Sequence, residues 1–352
     1  MKFKKLIILF VVLGALVLLA VVKKTVVKPR AVPFEKAEEA TLSELTPRIT
    51  ADFISKVIVY QGRSEAKKVV FSRNAAKEWI VENKFSAPAR KNVPEELIKY
   101  LSGLKGELRT DSKAVFSDFQ IADNEGLHIV LVNTADKEAV HLVVGLTKAA
   151  WNESFVRVLG AQKVFLVEKN FLMVLGLSSD PKAELRARSY LDLKIFPGDL
   201  AAAADRLEIK AAPAARPFVL KKSGEGPSAA AGWQLDPPDP RAPVDQARMD
   251  EFLRTISDLQ ARDVMDPNVT TYGFDKPTST IIVNAKKKEV AVSYRLEIGN
   301  FDAAQKSYYA RLVPGNIVYR LPEETAMFLK KDRSFFLQQA SKGKQRGAAA
   351  GS

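Results

Sequence analysis

Hydrophobic and polar positions alternate in short runs along most of this chain, and the same series of runs occurs twice. Period-two alternation and compact apolar runs bounded by Gly, Asn, Asp or Pro predict strands. In the first series they fall at Lys56–Tyr60, Lys68–Ser72, Trp79–Val81, Leu127–Asn133, Ala139–Gly145, Ser154–Leu159 and Lys163–Val167. In the second they fall at Arg206–Lys210, Pro217–Lys221, Trp233–Leu235, Thr280–Asn284, Val290–Ile298, Ser307–Leu312 and Asn316–Leu321. One stretch of helical spacing interrupts each series. Leu97, Ile98, Leu101 and Leu104 form the first apolar face, and Met249, Phe252, Leu253, Ile256 and Leu259 the second. Pro94 ahead of Glu95-Glu96 suits a first turn, where a missing N–H costs nothing and acids favour the dipole. Asp245 suits an N-cap. A further short helix is predicted after Pro322-Glu323-Glu324.

The two series are copies. At a constant offset of 154 residues Trp79 aligns with Trp233, Leu142 with Leu296, Gly145 with Gly299, and Phe155 with Tyr309. Arg157 then meets Arg311, Val164 meets Val318, and Leu175 meets Leu329. Matched rare residues at one spacing indicate an internal duplication. Upstream of the tryptophans the offset falls to about 149, because the loop at Ser223–Gly232 is longer in the second copy. Short gaps between the strands suit antiparallel hairpins. Each copy is therefore predicted to be an α+β unit, a mostly antiparallel sheet with one main helix. Residues 42–177 form the first repeat, 178–205 a connector expected to dock one repeat on the other, and 206–335 the second.

The pattern breaks at the N-terminus. Leu6–Val22 is 17 consecutive apolar or glycine residues between Lys4-Lys5 and Lys23-Lys24. As a helix it would span about 25 Å, slightly under a hydrocarbon core of about 30 Å, and flanking lysines can snorkel to cover the difference. An uncleaved signal-anchor over residues 1–27 is favoured over a cleaved signal peptide, because the run is long and lacks an A-x-A site. Basic residues are nearly balanced on its two sides, so charge leaves the orientation open. Residues 28–41 read as a stalk and 336–352 as a disordered basic tail.

Charge and composition narrow the chemistry. The chain has 352 residues and a net charge of +13, but the excess sits at its ends. Residues 1–34 carry seven basic and no acidic side chains, while residues 35–329 carry 41 basic and 40 acidic ones. That balance disfavours nucleic acid, which needs a concentrated basic face. Lys286-Lys287-Lys288 reads as a hairpin turn. With no cysteine and two histidines, disulfides, thiolate metal sites and cysteine nucleophiles are excluded. His128 and His141 lie on neighbouring predicted strands, but the second copy has Ile282 and Arg295 there, so no metal site is expected. The chain has no G-x-S-x-G elbow, Walker loop or H-E-x-x-H. No enzyme activity, catalytic residue or cofactor is expected.

In the second copy, Trp233-x-Leu235-x-x-Pro238 is followed by Tyr272-Gly273-Phe274-Asp275-Lys276-Pro277, Leu296-Glu297-Ile298-Gly299, Tyr309-Ala310-Arg311 and Val318-Tyr319-Arg320-Leu321. This order resembles the bacterial domain-of-unknown-function family 4340, over residues 42–335. In the first copy Asp118-Phe119-Gln120-Ile121 stands in place of the Tyr-Gly element. The resemblance implies a membrane-anchored extracytoplasmic protein, often encoded beside gliding-motility-type ABC transporter components. It thereby implies an orientation, with the bulk of the chain outside the cytoplasm, and an ABC permease as partner.

The expected function is a non-enzymatic accessory subunit that scaffolds or gates such a transporter. The alternative is a binding module for an envelope glycan, lipid or cell-wall ligand, with Tyr272, Tyr308 and Tyr309 lining a pocket where the repeats meet. Trp79 and Trp233 read as core anchors, and Gly145 and Gly299 as strand ends needing positive φ. Arg157 and Arg311 read as cross-strand salt bridges. The competing use of such an arginine is recognition of a carboxylate or phosphate.

Overall fold

The computed structural model describes residues 42–338 apart from 148, 197, 199, 224–231 and 288–289. The anchor and the stalk expected before residue 42 lie outside the described residues. Among the described residues no helix is long and apolar enough to cross a membrane.

Two antiparallel sheets carry the chain. The first contains β1 (Ser43–Glu44), β2 (Ile54–Gln61), β3 (Val69–Arg73), β4 (Trp79–Val81), β5 (Ala87–Pro88), β6 (Lys105–Thr110), β7 (Leu127–Asn133), β8 (Glu138–Val144), β9 (Ser154–Val158) and β10 (Val164–Val167). The second contains β11 (Ala204–Lys210), β12 (Phe218–Lys222), β13 (Trp233–Leu235), β14 (Asp263–Met265), β15 (Ser279–Lys287), β16 (Val290–Asp302), β17 (Ser307–Val313) and β18 (Val318–Pro322). Across the first sheet the order is β1-β6-β10-β9-β8-β7-β2-β3-β4-β5, and across the second β14-β18-β17-β16-β15-β11-β12-β13. Once β1 and β5 are removed the two orders are the same, strand for strand, so the duplication seen in the sequence is also a duplication of topology. Lys286 pairs with Ala291 and Lys287 with Val290, so these two lysines end β15 where it pairs with the start of β16.

Each sheet buries one face against its helix, as the periodicity requires. Helix Asn92–Leu101 turns Val93, Leu97, Ile98 and Leu101 inward. Helix Gln246–Ser257 does the same with Met249, Phe252, Leu253 and Ile256. A fully buried side chain of this size contributes about 2 kcal/mol. Asp245 caps the second helix, its carboxylate accepting from the N–H groups of Ala247 and Arg248 at 3.1 and 3.2 Å. The ordered chain extends past the boundary expected at residue 335. Phe336 is fully buried against Phe218 and Phe252, and the Gln338 N–H donates to the Pro243 carbonyl.

The connector bonds to both repeats by backbone. The Arg90 N–H donates to the Tyr190 carbonyl and the Asp192 N–H to the Pro88 carbonyl, both at 2.8 Å. A few residues on, the Ile195 N–H donates to Leu259 and the Ala261 N–H to Leu193. Tyr190, Leu191, Ile195 and Phe196 are buried, and they join the two repeats into one continuous hydrophobic core. Burial pushes the Tyr190 hydroxyl up to about 12. Lys84 and Asp263 add a direct ion pair between the repeats at 3.6 Å.

Candidate functional site

Successive side chains on a strand point to opposite faces. On β17, Tyr308, Ala310 and Leu312 pack toward the core, which leaves Tyr309 and Arg311 on the outer face of the second sheet. Glu297 on β16 stands directly opposite Arg311 in the ladder. Tyr272 and Phe274 come from the loop that crosses this face, and the Asn300 N–H donates to the Tyr272 carbonyl at 2.7 Å to hold it there. The loop can approach that closely because residue 299 is glycine. A Cβ there would stand 2.1 Å from the Tyr272 carbonyl oxygen.

Charge and ring contacts converge on this face. Arg311 donates from Nε and Nη2 to one oxygen of Glu297, at 3.0 and 2.7 Å. Arg295 Nε approaches the other carboxylate oxygen at 3.2 Å. The Glu297 side chain is 8% exposed, so its charge is desolvated but flanked by two cations. The Arg311 guanidinium lies 4.7 Å over the Phe274 ring. Tyr272 and Tyr309 pack with ring centroids 4.3 Å apart. The Tyr309 hydroxyl donates to Asp302 at 2.9 Å. Burial, then that hydrogen bond, raises the Tyr309 pKa, and the same hydroxyl is the main cause holding Asp302 below the usual carboxylate range. Beside Arg311 and Phe274 a cavity of about 760 Å³ opens, walled by Val269, Thr270, Asp275 and Asn316 among others.

The first repeat has the same site, closed. Phe119 and Phe155 take the places of Tyr272 and Tyr309, with centroids 4.7 Å apart. Gln120, at φ +49°, takes the place of Gly273, at φ +80°. The corresponding loops are thus offset by 153 residues, not 154, and the element read from sequence as unmatched is a matched one. Gly145 admits the Phe119 carbonyl as Gly299 admits Tyr272, with a Cβ distance of 2.5 Å. Neither glycine has positive φ, so the expectation of a left-handed strand end at Gly145 and Gly299 is corrected: close approach of a backbone carbonyl excludes a side chain.

Chemistry at the closed site differs. The residue opposite Arg157 is Val143, so the cross-strand salt bridge expected there does not form. Arg157 is 2% exposed and turns to the loop instead, donating from Nε to the Ile121 carbonyl at 2.8 Å and from Nη2 to the Asp123 carboxylate. Phe116 lies under its guanidinium, and Ile121, Val143 and Val164 fill the rest. The residues at the Phe116 position in the second repeat are Val269 and Thr270, which line the cavity. The ring over Arg311 comes instead from Phe274, which stands at the Ile121 position, so the place of Phe116 holds only Val269 and Thr270.

The other candidate residues divide by location. Tyr308 lies on the core side, near Phe301 and Met327, with Lys330 4.6 Å over its ring. It cannot share a pocket with Tyr309, its neighbour in the strand. The cavity beside Arg311 lies within the second repeat, not where the repeats meet, and Tyr272, Tyr308 and Tyr309 are not among its walls. Trp79 and Trp233 are buried. Gln246 accepts from the N–H of Trp233 and donates to its carbonyl, both at 2.8 Å, tying β13 to the start of the helix. His128 and His141 meet directly, Nδ1 to Nε2, at 2.9 Å. His128 Nε2 donates to the Asp123 carbonyl at 2.7 Å, so its Nδ1 accepts from His141. Tyr60 stacks on His128 at 4.5 Å, and His141 Nδ1 faces Glu138 at 3.2 Å. Burial, chiefly, lowers the His128 pKa.

No curated protein and no solved structure matches the chain. The family model described as Domain of unknown function (DUF4340) matches residues 79–277 and again 233–340. Each match begins at a repeat's tryptophan, and the first ends at the proline closing the Tyr-Gly loop that covers the candidate site. On that coverage the chain belongs to the family of the domain of unknown function DUF4340.

Proposed function

We propose that the protein is a non-enzymatic accessory subunit of an ABC-type transporter of the gliding-motility kind. Residues 6–22 anchor it in the cytoplasmic membrane, and the repeats stand outside the cytoplasm. The observation that supports this reading best is the single hydrophobic core running through both repeats and the connector. A body of two sheets joined that way holds its outer faces at fixed separation, which suits a scaffold between membrane subunits. The test is crosslinking of the tagged full-length protein in membranes, followed by mass spectrometry of what it captures. An ABC permease is the expected product, lost when residues 1–27 are removed. Capture of envelope glycan or lipid with no permease contradicts the reading.

A second reading, an extracytoplasmic binding module, draws on the cavity beside Arg311. One repeat has kept a closed outer face and the other has an open one, which is what specialisation of one copy for a ligand would produce.

A further inference from the structure

We infer that the cavity beside Arg311 takes a carboxylate group, a monoanion presented next to a small apolar group. This rests on the reading of the second repeat as a binding module and adds the chemical class of what is bound.

Arginines and carboxylates pair differently in the two repeats. Arg295 and Arg311 flank one buried carboxylate, Glu297. In the first repeat a single arginine meets a single acid, Asp123. With Arg320 beside Asp302, and Asp275 at the rim, the outer face of the second repeat holds three arginines and three carboxylates, so what sets Arg311 apart is its geometry. Arg311 uses Nε and Nη2 on Glu297, and its Nη1 makes no hydrogen bond among the described residues. A guanidinium bound on one edge keeps a second edge whose N–H groups match a carboxylate.

The walls restrict what can reach that edge. Phe274 covers one face of the guanidinium, so a ligand approaches in its plane. Val269, Val318 and Pro267 give an apolar wall, while Thr270 and Asn316 offer polar groups. Asp275 stands at the exposed rim and opposes a second negative charge. With Glu297 and Asp275 already beside Arg311, a single added negative charge is repelled less than a phosphate dianion. In the first repeat Phe116, at the position of Val269, stacks on the arginine, and the guanidinium is buried.

The experiment uses the full-length protein, purified in detergent and labelled with ¹⁵N-arginine, so that Arg157 reports as an internal control. The probes are N-acetylglycine, its neutral amide N-acetylglycinamide, and N-acetylglucosamine. N-acetylglycine is expected to move the Arg311 Nε–H resonance saturably while Arg157 stays still, and the amide to leave both unmoved. Arg311→Gln should weaken binding at least tenfold. Val269→Phe, which rebuilds the aromatic of the first repeat and leaves the Arg311–Glu297 pair in place, should do the same. Equal titration by the amide, movement of Arg157 in parallel, or unchanged binding in Val269→Phe overturns the inference. Saturation by N-acetylglucosamine without N-acetylglycine overturns the carboxylate class while leaving the binding-module reading standing.

Discussion

The outer faces of the two repeats share a backbone and differ in chemistry. Both carry an arginine on the penultimate strand of the meander, an aromatic two residues before it, and a loop aromatic packed on that ring. In the first repeat the partners are Phe119, Phe155 and Val143, and Arg157 is walled in. In the second they are Tyr272, Tyr309 and Glu297, and Arg311 borders open space. Three apolar-to-polar differences, and a ring over the arginine that comes from Phe274 and not from the Phe116 position, separate a packed satellite core from a cleft. A duplicated fold thus lets one copy serve stability while the other is free to bind.

The largest expected effect is shared by both copies. Gly299→Ala and Gly145→Ala each place a Cβ against a backbone carbonyl, at 2.1 and 2.5 Å, and should each cost about 3 kcal/mol or more, since backbone cannot give way cheaply. Urea denaturation measures this. A cost confined to one copy would break the claim that the two loops are equivalent.

Exchanging the residues opposite the arginines should then separate the copies. Val143→Glu puts a carboxylate into a fully buried apolar position and should cost about 2–3 kcal/mol. The reverse exchange, Glu297→Val, frees two arginines whose side chains are 34% and 48% exposed, and should cost about 1 kcal/mol or less, because water can hydrate them. Equal costs would mean that the second site is as closed as the first. Smaller still, Gln120→Gly should stabilise the first repeat by about 0.5 kcal/mol, relief of a left-handed residue exceeding the added chain entropy. An unchanged midpoint would say that Gln120 is not strained as its φ implies.

The histidine-linked pH dependence belongs to the first repeat, since Ile282 and Arg295 replace its histidines in the second. His128 has a lowered pKa, caused mainly by burial. As pH falls through about 6.5, the ordinary histidine value, the unfolded chain takes up a proton that the folded chain resists, so stability is lost toward acid. The Tm should drop between pH 7.5 and pH 5.5, and His128→Gln should flatten the drop. An equal slope in that variant would assign the effect elsewhere.

Much of this comparison could be read from sequence, and the rest depended on register. Trp79–Val81, Trp233–Leu235 and Leu127–Asn133 have the bounds their patterns predict, because each is a compact apolar run between polar breaks. The strands β6 and β14 escaped notice. Lys105–Thr110 is rich in charged and polar residues, with only the two-residue β1 beyond it, and Asp263–Met265 is too short to show alternation. At the site, the constant offset found Arg157 and Arg311 but not their partners. Glu297 sits inside an apolar strand, and only the β16–β17 ladder shows that it faces Arg311. Strict alternation would have separated Tyr308 from Tyr309. The one-residue change of offset in the loop hid the match of Phe119 and Gln120 to Tyr272 and Gly273, since Gln120 stands where the motif has glycine.

The most direct measurement puts a photo-crosslinking residue at position 269 in one full-length protein and at the corresponding position 116 in another, and irradiates both in membranes. The account predicts that position 269 captures a molecule from the membrane preparation and position 116 captures none, because one site is open and the other is packed shut. Equal capture from both positions, or none from 269, would contradict it.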